Sequence, residues 1–408
     1  MNTSCLFVES DAEQLGRLQG RLRDRPALAG STYTDSLDEA TRLLDEMPFE
    51  AVVLGDGFTL EELTGLFTRI EFMQPDILLV IRREHELFQQ VARRCARRLV
   101  ELSPHSEAET IESVILNALL VRDWGRNPRL RQVSAQMTRL PSIPSLYLNI
   151  VQKLQSEDAE IEDVAVHISH DLAMCAKLLR LVNSAAFGLT TQVQSAFEAV
   201  MLLGFEQIKA LILFSQLITV FDDRKPGPFS LDEFWLHSIG CANLARWIAQ
   251  HETGDSRQAN EAFTAGLLHD VGRLLIASNL PGVANQLASS LKQGEKDLHD
   301  CEEQLLGTNH AELGAYALAA WDLPHSILQA IGFHHRPRPS EPAVFAPLTA
   351  VHAANVLDYE KRYGASIFAT RRVNREYLEG LFAHDPMDRW RSLAGIAPGG
   401  PGAAPLGG

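Results

Sequence analysis

Within the first 120 or so residues, four short apolar runs (CLFVE, FEAVVLG, DILLVIR and RRLVEL) alternate with helical patterns. Runs this short and this uniformly apolar are strands shielded from water on both faces. They commit this part of the chain to a parallel sheet with helices on either side, an α/β doubly wound fold. Among the intervening helices, SLDEATRLLDEM offers Ser36 as N-cap with Glu39 three residues on. After RDWGRNPRLRQ (122–132), a polar connector with Gly and Pro, the pattern changes. From about residue 135 to 392 one helix follows another, with no strand and no internal repeat. The expected organisation is an α/β domain over 1–122, a linker over 123–135 and an all-α domain over 136–340. A helical extension over 341–392 and a Gly/Pro-rich disordered tail over 393–408 complete it.

Charge and cysteine usage exclude several roles. A net charge of −15 leaves no positive excess to neutralise phosphates, so neither direct nucleic-acid binding nor grip on an anionic membrane is expected. Cys5, Cys95, Cys175, Cys241 and Cys301 are scattered, odd in number and without a C-x-x-C pair, which rules out a disulfide framework. The beginning of the chain lacks the pattern of a signal peptide. ALILFSQLITVF (210–221) falls short of the roughly 20 residues that span a bilayer. The expectation is a soluble cytoplasmic protein without membrane insertion.

In length, strand order and hydrophobic rhythm the first 120 or so residues resemble the receiver domain of response regulators. That resemblance implies an acidic pair after the first strand, a phosphoacceptor aspartate ending the third, a Ser/Thr after the fourth and a Lys after the fifth. These positions fall on Glu9 and Ser10 (with Asp11 next), on Gly55 (with Asp56 one place late), near Ile81–Arg82, and on Ser103. A working phosphorylation site is not expected, and the domain reads as a pseudo-receiver offering a docking or dimerisation surface. Arg93, Arg94, Arg97 and Arg98 of RRCARR form one helical stripe, read as a solvated face, with a partner-docking patch as the alternative.

Further on, L-P-x-x-P at 140–144, LLRLVNSAAFG at 178–188, AVMLLG at 199–204 and HHRP at 334–337 occur in succession. Together they resemble the HDOD domain, a bacterial signalling module related to the HD superfamily of metal phosphohydrolases. Pro141 and Pro144 fix φ ahead of a helix. Leu178, Leu181, Val182 and Ala185 make an inward stripe, and Asn183 is expected to form a local structural bond near that helix's end.

The histidines carry the chemistry. Along SLDEFWLHSIGCANLARWIAQ, opened by a capping box of Ser230 and Glu233, His237 shares the apolar stripe and points inward. In GLLHDVGRL, Asp270 shares an inward stripe with Phe263, Leu267 and Leu274, and His269 lies about 100° round the helix. The HD resemblance implies a first metal held by His237, His269, Asp270 and a late aspartate, whose position is Asn355, with Asp358 three residues on. It implies a second held by His310, His334 and His335, with Arg273 replacing the lysine that trails the doublet and no Gly-Tyr-Pro loop. Imidazole with carboxylate suits Fe, Mn or Zn. His384–Asp385 repeats the doublet before Pro386 and reads as a loop coincidence.

Two functions follow from the resemblance, with a sensor that binds a nucleotide without hydrolysing it as a third. One is a non-catalytic signal-transduction regulator, with no catalytic or cofactor-binding residues beyond a divalent metal. It would act through protein–protein contacts with signalling proteins, cyclic-dinucleotide enzymes or kinases among them, and could form a homodimer. The other is a metal-dependent phosphohydrolase acting on a nucleotide or cyclic dinucleotide. The missing late carboxylate and substrate loop favour the first.

Overall fold

The computed structural model describes residues 3–55, 57–74, 76–82, 99–103, 105–138, 140, 142–154, 160–185, 187, 189, 191–222, 230–292, 297–321, 323–337, 344–363 and 373–396. Asp56, the arginines of RRCARR, Cys95, Pro141 and the tail beyond 396 lie outside the described residues. The chain divides into two compact units between Asp123 and Trp124.

The amino-terminal unit is a five-stranded parallel sheet of β1 (Cys5–Val8), β2 (Thr32–Thr34), β3 (Ala51–Leu54), β4 (Leu78–Arg82) and β5 (Leu99–Leu102), in the order β2-β1-β3-β4-β5. Its helices are α1 (Ala12–Leu22), α2 (Leu37–Glu46), α3 (Leu60–Met73) and α4 (Ala108–Arg126). The period-2 alternation of a strand divides the side chains between two cores. Leu6, Val8, Val52, Leu54, Leu79 and Ile81 pack with α2 and α3, while Cys5, Phe7, Ala51, Val53 and Val80 pack with α1 and α4. This is the expected doubly wound fold. The apolar runs located every strand except β2, which is three residues long and lies at the sheet edge, half-buried and without an apolar run.

Glu9 is buried and ion-paired with the buried Arg82 guanidinium, which sits where the resemblance places a Ser/Thr. A Cβ at Gly55, the phosphoacceptor position, would lie 1.7 Å from Glu9 Oε2, so any side chain there displaces the Glu9 carboxylate. Asp11 caps α1, its Oδ1 accepting from the Glu13 and Gln14 amides at 2.8 and 3.2 Å.

Elements of the second unit begin inside the expected connector. Asn127 N-caps α5 (Pro128–Ala135) directly after α4, accepting from the Arg129 and Leu130 amides at 2.9 and 3.3 Å. Residues 123–135 are therefore largely helical: the connector's Pro occupies the first turn, where its missing N–H costs nothing. There follow α6 (Ser145–Leu154), α7 (Ile161–His170), α8 (Leu172–Val182), α9 (Ala196–Leu203), α10 (Phe205–Asp222), α11 (Leu231–Thr253) and α12 (Ser256–Leu268). Then come α13 (Val271–Asn279), α14 (Pro281–Lys292), α15 (Leu298–Leu306), α16 (His310–Leu318), α17 (His325–Phe333), α18 (Pro347–Tyr363), α19 (Arg375–Glu379) and α20 (Met387–Leu393). No described helix is long and apolar enough to cross a membrane.

Three expectations need correction. Ala185 is exposed, because α8 ends at Val182 before the stripe reaches it. The run through GLLHDVGRL is two helices, broken at His269–Asp270. And α18, assigned by sequence to a separate extension, packs along α11 and contributes to the site. Asn183 does form a structural bond, pairing both amide groups with the Val193 backbone at 2.8 Å.

Candidate metal centre

Five elements of the helical unit deliver polar side chains to one buried point. His237 comes from α11, and His269 and Asp270 from the break between α12 and α13. His310 is the first residue of α16, and His334 and His335 follow the end of α17. Breaking the helix at the doublet lets neighbouring residues face the same point: His269 caps α12 in αR geometry while Asp270 has φ −95° and ψ 8°, and His269 Nε2 lies 3.5 Å from Asp270 Oδ1. Two glycines permit the approach. A Cβ at Gly272 would lie 1.9 Å from the His310 carbonyl oxygen, and one at Gly240 would lie 2.0 Å from Asp358 Oδ1.

The donors form two groups that share Asp270: His237, His269 and Asp270, and Asp270, His310, His334 and His335. In each group one ligand atom per residue lies within 4.8 Å of all the others. His335 is half-buried. The rest are buried, with His269 and His334 fully so. All six residues singled out in the sequence are thus brought together.

Hydrogen bonds around the rim fix the rings. His269 Nδ1 donates to the Gly266 carbonyl at 2.7 Å and His334 Nδ1 to the Ile331 carbonyl at 2.8 Å. His237 Nδ1 bonds Asp358 Oδ2 at 2.8 Å, and His310 Nδ1 bonds Glu302 Oε2 at 2.6 Å. Because carbonyl and carboxylate oxygens only accept, Nδ1 carries the proton in each ring and the Nε2 lone pair is aimed inward. His237 Nε2 and His269 Nε2 then stand 3.2 Å apart, and His310 Nε2 and His335 Nε2 3.0 Å apart. Among the described residues His334 Nε2 has no hydrogen-bond partner, and it lies 3.8 Å from Asp270 Oδ1. Lone pairs converging at these distances repel unless a proton or a cation lies between them, so the donor set fits a divalent cation.

Electrostatics distinguish the rings. Burial, reinforced by His237 and His310, pulls His269 down to about 4 against the opposing pull of Asp270. Burial likewise holds His334 well below the usual imidazole range. For His310, burial opposes charging, but the Glu302 and Asp270 carboxylates overcome it and raise the group to about 9. Without a cation, the His310 proton can therefore bridge towards Asp270 Oδ1, 3.2 Å away, and binding a metal there would expel it. Asp270 stays well below the carboxylate range despite burial, because of the Arg273 guanidinium, whose Nη1 lies 2.5 Å from Oδ2, and the neighbouring imidazoles.

Sequence reasoning missed Glu302, which orients His310, and left the part played by Asp358 open. Both lie on helices with charged neighbours, and only tertiary packing makes them internal. Asp358 also accepts from Arg362 Nε at 2.6 Å, while Asn355 is buried on the same helix a turn earlier. His384–Asp385 lies in an exposed loop, where Asp385 Oδ1 accepts from the Met387 amide at 2.9 Å, so the second doublet takes no part.

Comparison with known proteins follows the same division. The chain is 27% identical over 240 residues to an uncharacterized protein of Treponema pallidum (strain Nichols), covering 55% of this chain and 45% of that one. It is 33% identical over 104 residues to the uncharacterized protein YuxH of Bacillus subtilis (strain 168), covering 26% of this chain and 25% of that one. The matches thus span less than half of the first relative's length and a quarter of the second's. The crystal structure of an HDOD domain protein with unknown function from Geobacter sulfurreducens is 27% identical. That match covers 67% of this chain and 86% of the other, with a TM-score of 0.49. The HDOD domain family itself matches residues 140–337, a span containing all six histidine and aspartate donors, and that span of the chain is an HDOD domain.

Proposed function

We propose that this chain is a non-catalytic signal-transduction regulator acting through protein–protein contacts, with the centre around Asp270 as a divalent-metal site that organises the helical unit. His237, His269 and Asp270 would hold one ion, and His310, His334 and His335 with Asp270 a second. Fe, Mn or Zn suits such a nitrogen-rich set. When bound, such an ion supplies Lewis acidity and an acidified water. The residues around it supply orientation: Asp358 and Glu302 hold two imidazoles in one tautomer, and the Gly266 and Ile331 carbonyls hold two more.

One observation carries the non-catalytic reading. The only carboxylate in the two donor groups, Asp270, is buried and already paired with Arg273, and the late carboxylate implied by the HD resemblance is Asn355. The centre therefore offers a cation little negative charge, and its donors other than His335 lie beneath the surface. Signalling proteins, including enzymes of cyclic-dinucleotide turnover and kinases, are the expected partners.

A metal-dependent phosphohydrolase acting on a phosphodiester is the second reading. It draws on the sharing of Asp270 between the two donor groups, since a carboxylate common to two ions would hold them close enough for the pair to stabilise the attacking and leaving oxygens of a displacement. Elemental analysis of the purified full chain, followed by hydrolysis assays on bis-p-nitrophenyl phosphate and cyclic di-GMP with added Mn²⁺ or Fe²⁺, separates the two. The expected result is bound metal without turnover. Turnover that disappears in His269→Ala and Asp270→Ala would overturn the non-catalytic reading.

A further inference from the structure

Away from the histidines, the helical unit contains a cavity of about 480 Å³ walled by α6, α10, α12 and the start of α17. Small-molecule pockets typically measure roughly 300–1,000 Å³. Leu213, Leu323 and Ile327 give it apolar walls. Its charges come in two pairs: Lys209 Nζ lies 2.8 Å from Glu206 Oε1 on α10, and Arg257 Nε donates to Glu261 Oε1 at 2.9 Å on α12. Glu261 is further held by Ser326, whose Oγ donates to Oε2 at 2.6 Å.

These charges sum to zero, and that balance selects the ligand. A polyanion such as a cyclic dinucleotide needs a surplus of cations, and this lining has a carboxylate for each one. A molecule with one positive and one negative group on an apolar body would instead find a partner for each. Opening a partly exposed ion pair to admit it costs little, because solvent already screens the pair.

The same walls end in the histidine centre. α12 carries Arg257, Asn260, Glu261 and Thr264 into the cavity and finishes at His269, about 7 Å beyond Thr264 at roughly 1.5 Å per residue. α17 carries Ile327 and finishes at His334. Each of these rings is tied through Nδ1 to a carbonyl in the last turn of its own helix, Gly266 or Ile331, so movement of either helix takes its ring along. We propose that the cavity binds a small zwitterion with an apolar side chain, of the amino-acid or dipeptide class, and that occupancy is transmitted along α12 and α17 to His269 and His334. The transmission builds on the centre of the proposed function, but it can be read from the rings whether or not metal is bound. Where metal is bound, ligand and metal affinities change by the same factor.

Calorimetry on the full chain tests binding, with L-leucine and L-leucyl-L-leucine as probes and N-acetyl-L-leucine amide and cyclic di-GMP as comparisons. The expected result is saturable binding of at least one zwitterion, at least tenfold weaker binding of both comparison compounds, and at least tenfold loss in Lys209→Met and in Glu261→Gln. Lys209→Met leaves the Glu261–Ser326 bond intact, so its loss cannot be put down to misfolding of that corner. No binding of either zwitterion, or equal binding of the uncharged amide, would overturn the assignment. Imidazole ¹H–¹⁵N spectra test the transmission: the His269 and His334 ring signals should shift on saturation while that of the exposed His384 stays. Binding without those shifts would overturn the transmission. Neither readout requires metal or turnover, so failure here is distinguishable from failure of the metal-centre reading.

Discussion

In the sheet unit the buried Glu9 carboxylate and Arg82 guanidinium meet each other, whereas in the helical unit the buried His237, His269, His310 and His334 each commit Nδ1 to a protein acceptor and turn Nε2 towards the shared centre. Both arrangements bury groups that cost several kcal/mol to desolvate. In the first the two charges neutralise each other within the protein. The second is balanced only where a proton or cation stands between the lone pairs, and His334 Nε2 has not even that. Among the described receiver-like residues, Glu9 and Arg82 are committed to each other. The histidine centre keeps inward-facing nitrogens that fit a cation.

The largest effect expected from this contrast lies in the sheet unit. Glu9→Gln or Arg82→Met leaves one buried charge unpaired and should cost about 3–5 kcal/mol in urea unfolding monitored by circular dichroism. The double variant Glu9→Leu with Arg82→Met should recover most of that loss, since apolar replacement of a whole buried pair is near neutral. If the single variants unfold like the wild type, the pair is not the closed element described here. A second test concerns Asp358→Asn, which keeps the shape at His237 but weakens the group that orients it. Metal affinity, measured by competition with a chromophoric chelator, should fall about 10–100-fold, or ~1.4–2.7 kcal/mol. Unchanged affinity would remove Asp358 from the centre.

How much of this was legible in the sequence also differs between the units. Central strands buried on both faces appear as uninterrupted apolar runs, so β1, β3 and β4 could be found; the edge strand β5 was found because it too is mostly apolar, while edge strand Thr32–Thr34 has no such run. In the helical unit the inward stripe located His237 and Asp270, and the HDOD resemblance added the remaining histidines. The break at His269–Asp270 was not legible, because neither Pro nor Gly stands at the two broken positions; the close approach of Gly272 to the His310 carbonyl that accompanies it is a tertiary contact. Glu302 and Asp358 were obscured for a related reason: a carboxylate among charged neighbours reads as a surface group until a histidine from another helix packs against it.

The sheet unit has a pH sensitivity of its own. Burial lifts the Cys5 thiol to about 12 from its model-compound value of 9.0, with Ser31 lowering it and Glu50 raising it. The native state therefore holds its proton where the unfolded chain has lost it. Stability is fully present below about pH 9 and declines as pH rises towards 12. At pH 10.5 the loss should be about 2 kcal/mol relative to pH 8, and Cys5→Ala should abolish that part of the decline whatever its effect at neutral pH. An equal decline in the variant would show that the thiol stays accessible to base.

The smallest stability effect is also the most discriminating. Replacing one member of a closed pair strands its partner, but His334 Nε2 has no hydrogen-bond partner to strand. His334→Leu removes the ring together with its unsatisfied nitrogen, gives up the Nδ1 bond to Ile331, and puts an apolar side chain in a fully buried position. A lost hydrogen bond of about 0.5–1.5 kcal/mol is then set against relief from an unsatisfied buried nitrogen of about 1–3 kcal/mol. The balance for metal-free protein accordingly runs from a loss of about 0.5 to a gain of about 2.5 kcal/mol, centred near a gain of about 1 kcal/mol, while affinity for added Zn²⁺ or Mn²⁺ falls at least tenfold. A large loss of stability without metal would mean that His334 is bound into the core as firmly as Glu9 and Arg82 are. The helical unit would then be as self-contained as the sheet unit, with no vacancy for a cation to fill.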